Sequence, residues 1–315
     1  MVIIVTSVKK SQLKRIAVII ITILFAFSAV SMVATKLIYD GIFDRYEEPQ
    51  PVPAELSAMV EQRQLHRYPC GDNTLTGYYY PSDQPESLGL VVLVPGFHAG
   101  GDSYLWQIRS LLDYGWSVFT FDTTGSFRSE GDDQVGFPQA VLDLEATLKY
   151  IEKSQNFGYN DLILMGHSRG GYAACCALTM DHNIAAVVSV SGVNSAMEGV
   201  MQLSCNTIGP VAYGNYGFLW LYQVMLFGDD TLNQQACNAI SQSDVPVLVV
   251  HGTRDEDIPV DSSSVISHKE EMTSGNVEYL LRPAGHTDLL YDADGTANDE
   301  LMYEIHSFLI RSLEK

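Results

Sequence analysis

Charge is what the first part of this sequence lacks. Ile16 to Thr35 contains no Asp, Glu, Lys or Arg, and no acidic residue occurs before Asp40. After that run the balance reverses, with 14 basic residues against 38 acidic ones, a net −24. So acidic a body excludes binding nucleic acid or anionic lipid through a basic patch. Solubility is reason enough for it. Cysteine is scarce as well, five in 315 residues, and no Cys/His grouping has zinc-ligand spacing, so no metal or cofactor is expected. Internal repeats and low-complexity tracts are absent too.

What is present begins with the apolar run. About 20 such residues cross a bilayer as a helix. Lys9, Lys10, Lys14 and Arg15 stand just before it, which predicts a cytoplasmic N-terminus and an exported remainder. Small residues at Ser28-Ala-Val-Ser31 and Val33-Ala34 leave a cleaved signal peptide, and so secretion, as the alternative. The division expected is a basic terminus over 1–15, a membrane anchor over 16–35, a stalk over 36–54 and one folded domain over 55–315. Glu47-Glu-Pro-Gln-Pro-Val-Pro53 suggests the stalk, since such proline spacing favours extended chain. In an oxidising compartment Cys205 and Cys237, which flank one inserted segment, could pair. Cys175 and Cys176 fit a helix core, and Cys70 has no obvious partner.

Past Leu65, strands and helices alternate. Leu65–Tyr68 and Leu75–Tyr80 form two strands, followed by strands at Leu88–Val94, Trp116–Phe121, Leu162–Met165, Ile184–Ser191, Val245–Val250 and Val277–Leu281. Helices are expected over Tyr104–Leu112, Phe137–Glu152 and Glu300–Leu313. That alternation predicts a mostly parallel sheet covered on both faces.

The densest signal is Leu162-Ile-Leu-Met-Gly-His-Ser168-Arg-Gly-Gly-Tyr-Ala-Ala-Cys-Cys. An apolar strand runs into Gly166-His-Ser168-Arg-Gly170, the G-x-S-x-G pattern, and then into a small-residue helix. A serine on so sharp a turn is strained, and side chains two residues either side would collide with neighbours. A serine hydroxyl needs a base, and the base an orienting acid. Asp255 and His286 each follow a strand, where ligands gather in a parallel sheet. Asp257 is the alternative acid. His251 is read as closing a strand, His167 as packing beneath the turn, and Asp288 and His306 as ordinary positions.

Together the Ser168 turn, His251-Gly-Thr-Arg-Asp255 and Gly285-His286 resemble the α/β-hydrolase superfamily, in its bacterial esterase, lysophospholipase and serine-aminopeptidase-like branch. The resemblance implies an eight-stranded, mostly parallel sheet with a small helical cap, and a Ser168–His286–Asp255 triad. It also implies an oxyanion hole from the backbone N–H groups of Phe97 and Arg169. The loop after the third strand reads Pro95-Gly-Phe-His-Ala-Gly100, with proline where the branch carries histidine, and Asp122–Gly131 keeps only the second half of a family loop.

The insertion at about 192–244 lies where this family carries its cap. Its uncharged stretch Ile208–Phe227 is read as a cap helix lining an acyl pocket, with Phe218, Trp220 and the loop residue His98 as substrate contacts. The function expected is cleavage of apolar carboxylic esters, lipase-like, on a small-molecule or lipid-like substrate. Peptide cleavage of the aminopeptidase type would need an acid near the substrate amine, such as Glu198, Asp229 or Asp230. A non-catalytic scaffold is the third class.

Overall fold

The computed structural model describes residues 10–48, 50–154 and 156–314. Lys9 of the basic cluster and Pro49 of the expected stalk lie outside the described residues. The first element is a 33-residue helix, α1, at Lys10–Ile42. Among the described residues it is the one helix long and apolar enough to cross a membrane.

The body is one sheet of eight strands: β1 (Gln64–Cys70), β2 (Asn73–Tyr80), β3 (Leu90–Val94), β4 (Ser117–Asp122), β5 (Leu162–His167), β6 (Ile184–Val190), β7 (Val247–Gly252) and β8 (Val277–Arg282). They lie side by side in the order β1-β2-β4-β3-β5-β6-β7-β8. β1 and β2 pair antiparallel with each other, and β2 with β4; every later pairing is parallel. The central strands are continuous apolar runs because both faces are covered. Along β3, Leu90, Val92 and Val94 face one core while Val91 and Leu93 face the other, the two-residue period of a strand.

The helices are α2 (Ser57–Gln62), α3 (Leu105–Asp113), α4 (Phe137–Ser154), α5 (Arg169–Cys176), α6 (Ala196–Ile208), α7 (Tyr216–Phe227), α8 (Asp229–Leu232), α9 (Ala236–Ser241) and α10 (Asp299–Leu313). One core takes Phe137, Val141, Leu144 and Leu148 of α4 with the small residues of α5. The other takes Ile108 and Leu111 of α3 with Leu301, Ile305 and Phe308 of α10. The helices α6 to α9 fill the chain between β6 and β7.

The expected stalk needs correcting. The helix α1 continues to Ile42, and Tyr39 and Phe43 are buried at 2% and 1% exposure. Their rings have an apolar seat: Phe43 packs on Phe97 and Phe137, and Tyr39 on Tyr222 of α7. Isolated bridges at Asp44–Asp133 and Tyr46–Ser126 then bind the chain to the loop after β4. Among the described residues after Tyr46, residues 47–48 and 50–53 carry no helix or strand before the next turn of helix. Aromatic burial outweighs the extended bias of the prolines, which acts only locally.

Candidate active site

Three strand ends bring the candidate residues together. Ser168 follows β5 with φ 55° and ψ −120°, a strained geometry costing on the order of 1–3 kcal/mol. Its neighbours hold it there. Ser168 N–H donates to Val190 O at 2.9 Å, and its carbonyl accepts from Gly171 N at 2.9 Å and Tyr172 N at 3.2 Å. A Cβ at Gly166 would run into the carbonyl of Gly170, and one at Gly170 into the carbonyl of Val94. The turn therefore admits only glycine at both positions.

Asp255 stands beyond β7 and His286 beyond β8. His286 Nδ1 lies 2.7 Å from Asp255 Oδ2. The other carboxylate oxygen, Oδ1, accepts the N–H groups of Asp257 at 3.0 Å and Ile258 at 2.8 Å. His251 Nε2 approaches Asp255 Oδ2 at 3.3 Å and Ile258 O at 2.9 Å. Burial pushes the Asp255 carboxyl up, but hydrogen bonds from His251 and His286, with the His286 charge, outweigh it and hold the group well below the usual carboxylate range. Asp255 is thus an ionised acceptor, whereas Asp257 is exposed at the lip of the cleft.

Ser168 and His286 line one cleft of 350 Å³ with Phe97, His98, Tyr104 and Tyr291. Among the described residues no hydrogen bond within 3.5 Å joins Ser168 Oγ to His286; such bonds commonly tighten only around substrate. Beneath the cleft a relay of polar groups links its walls. Gly96 N–H donates to Tyr104 Oη at 3.0 Å, Tyr104 Oη meets His167 Nδ1 at 3.1 Å, and His167 Nε2 lies 3.3 Å from His286 O. Burial, reinforced by the His286 charge, lowers the His167 pKa to about 3. His167 is therefore a neutral strut, packed under the turn as its sequence position suggests.

The helix α5 begins at Arg169, whose N–H has no partner within the helix and sits at its positive end. The Arg169 side chain turns inward and is buried. Its Nη2 donates to Thr123 Oγ1 at 3.1 Å and Gly96 O at 3.3 Å, and its guanidinium lies 5.5 Å from the Phe97 ring. Burial lowers its pKa to about 10. Sequence pattern gave no sign of this side chain's role, because the residue after the serine is free to vary in the motif.

Of the expected substrate contacts, only His98 reaches the cleft. Phe218 packs edge-on against Phe27 of α1, with centroids 6.4 Å apart. Trp220 lines a separate pocket with Met197, Glu198 and Leu232. Both expectations are corrected for one reason: α7 lies against α1, so its aromatic side chains are spent on that contact or turned outward. The acids named in the cap do not reach the cleft either; Glu198 pairs with His268 at 3.2 Å. His306 serves as acceptor for Trp116 Nε1 at 3.2 Å.

All five cysteines are free, so Cys205 and Cys237 do not pair. Among the described residues, two groups of side chains bring ligand atoms within 4.8 Å of one another: Cys237, His268 and Glu271, and Asp255, Asp257 and His286. In the first, His268 is engaged by Glu271 at 2.8 Å and by Glu198 at 3.2 Å, and burial with Glu271 raises the Cys237 pKa, keeping the thiol protonated. The second is the cleft itself.

A family model described as serine aminopeptidase, S33, matches residues 85–212. The uncharacterized protein YfhR of Salmonella typhimurium is 26% identical over 216 residues, 66% of this chain and 68% of that one. The Pyrococcus furiosus esterase Pf2001 superposes with a TM-score of 0.64 at 19% identity, over 85% of this chain and 98% of that chain. Est1E of Butyrivibrio proteoclasticus, solved with ferulic acid bound, gives 0.61 at 17% identity, over 79% of this chain and 100% of its own. These likenesses show that the chain has the α/β-hydrolase fold, and its residues 85–212 match the serine aminopeptidase family model.

Proposed function

We propose that the protein is a membrane-anchored carboxylic-ester hydrolase acting through Ser168, His286 and Asp255. The observation that carries this reading is the 2.7 Å contact between His286 and an ionised Asp255, opening on the cleft that holds the strained Ser168. Ser168 Oγ attacks the ester carbonyl while His286 Nε2 takes its proton, and Asp255 holds the imidazole by Nδ1–H and stabilises its charge. The N–H groups of Phe97 and Arg169 receive the oxyanion, each contributing roughly 3–4 kcal/mol to the transition state. His286 returns the proton to the leaving alcohol. Water, deprotonated by His286, then attacks the acyl-enzyme and releases the acid and free Ser168. No step calls on a metal or an organic cofactor.

The likeness to the Pyrococcus furiosus esterase favours an ester over a peptide. Phe97, Tyr104, Leu290 and Tyr291 in the cleft wall favour a compact apolar acyl group. One observation favours the second reading, a peptidase of the aminopeptidase type: Asp257 stands exposed at the cleft lip, where it can face a substrate amine. Anchoring rests on the apolar helix α1, and the Phe27–Phe218 contact gives the folded part a hold on the apolar run that signal cleavage would remove. The expected orientation is an inner N-terminus and an outer hydrolase domain.

The test is full-length protein in detergent against p-nitrophenyl esters and aminoacyl-p-nitroanilides, with fluorophosphonate labelling. Ester turnover and labelling, both lost in Ser168→Ala, are expected. Turnover that survives Ser168→Ala would overturn the reading, and anilide cleavage alone would select the peptidase.

A further inference from the structure

The chain that leaves α1 ends on the loop proposed to bind the oxyanion. His98 holds φ 56°, a left-handed conformation rare for a side chain of this size. Such a residue persists only where its surroundings over-determine it. Here the surroundings come from the foot of the anchor. The Tyr46 ring stacks on His98 with centroids 4.3 Å apart and planes 9° off parallel. The Phe43 ring packs against Phe97 at 5.2 Å and Phe137 at 6.1 Å.

The foot is itself fastened from the other side. Gln134 N–H donates to Phe43 O at 2.7 Å, Tyr46 N–H to Gly125 O at 3.0 Å, and Phe127 N–H to Tyr46 O at 2.9 Å. Arg45 Nη1 and Nη2 reach Gly131 O at 2.7 Å and Phe127 O at 2.8 Å. Residues 43–46 thus form a wedge between the loop after β4 and the Phe97–His98 loop.

We infer that Phe43 and Tyr46, at the foot of the membrane helix, are positioning residues that hold the Phe97 N–H in place for the oxyanion. The inference rests on the serine-hydrolase reading above. Neither side chain has to touch substrate. Each acts through its ring contact with the loop, so the anchor becomes part of the catalytic framework. Displacing a donor by about 1 Å costs up to about 100-fold in rate.

The experiment uses the full-length chain in detergent micelles with a p-nitrophenyl ester, comparing Tyr46→Ala, Tyr46→Phe and Phe43→Leu with wild type. For Tyr46→Ala, kcat is expected to fall about 10- to 100-fold with KM changed by less than about threefold. Tyr46→Phe keeps the stacked ring and is expected to restore wild-type kcat. An aryl boronic acid, which mimics the tetrahedral adduct, is expected to lose affinity for Tyr46→Ala in step with kcat, and Phe43→Leu to fall between. Thermal melting separates this from unfolding. If Tyr46→Ala keeps both kcat and boronate affinity, or if Tyr46→Phe is as impaired as Tyr46→Ala, the inference fails while the triad stands. Wild-type turnover that survives Ser168→Ala removes the reading itself and the inference with it.

Discussion

His167 props up His286 from below: its Nε2 lies 3.3 Å from the His286 carbonyl oxygen, and the two rings are 4.9 Å apart. A backbone carbonyl can accept but not donate, so His167 presents Nε2–H there and a bare Nδ1 to Tyr104 Oη. Burial, reinforced by the His286 charge, is what keeps the group neutral.

A pH dependence of stability follows. The folded pKa of His167, about 3, lies below the unfolded value of about 6.5. Between the two, the unfolded chain binds a proton that the folded one does not. The stabilisation is complete above about pH 6.5 and is lost as pH falls toward 3, at up to about 1.4 kcal/mol per pH unit. Denaturant melts between pH 7 and 4 should show that slope in wild type. His167→Gln keeps a donor and an acceptor without titrating, so its slope should be shallower by about that amount.

The two acids on the β7 loop should separate cleanly. Asp255→Asn removes the charge that orients His286, and kcat on a neutral ester is expected to fall about 10⁴-fold. Asp257→Asn should change it less than about threefold, because Asp257 lies out at the cleft lip. Steady-state kinetics on both variants checks this, and the reverse ranking would transfer the role to Asp257. If the aminopeptidase reading holds, Asp257→Asn should instead raise KM for aminoacyl anilides.

Gly170→Ala would drive a methyl group into the Val94 carbonyl at the base of the turn. Relief requires backbone movement, so a loss of at least about 1–3 kcal/mol in chemical denaturation is expected, together with most of the activity. Gly158, where an added Cβ meets nothing within 4 Å, is the control. Its alanine variant should stay within about 0.5 kcal/mol of wild type.

Much of this molecule is written locally in its sequence. Apolar runs such as Leu90–Val94 and the glycine spacing around Ser168 are short-range signals, and a strand end is where catalytic groups emerge in a parallel sheet. Those signals were enough to find the strand set and to bring Ser168, Asp255 and His286 into one place. The misreadings all concern contacts between distant segments. Proline spacing suggested a stalk, yet Tyr39 and Phe43 have seats made by Tyr222, Phe97 and Phe137. Phe218 and Trp220 have the composition of a pocket lining, but α1 decides which way α7 faces. His251, by contrast, closes β7 as its sequence position suggests, and its Nε2 approaches Asp255 Oδ2 only four residues on. The partners of Tyr39, Phe43 and Phe218 lie far off in the sequence, beyond any local window.

If α1 anchors the protein as proposed, its foot also limits where the protein can work. Seven helical steps lead from Thr35 to Ile42, a climb of about 10 Å, and bridges at Asp44 and Tyr46 hold the chain before Tyr46 meets His98. With α1 held in a bilayer, the mouth of the cleft sits at a set height above the lipid and tilts with the helix like the head of a fixed crane. If the proposed anchoring holds, its substrates would have to come to it near the membrane, which would set its working radius as the cleft sets its chemistry.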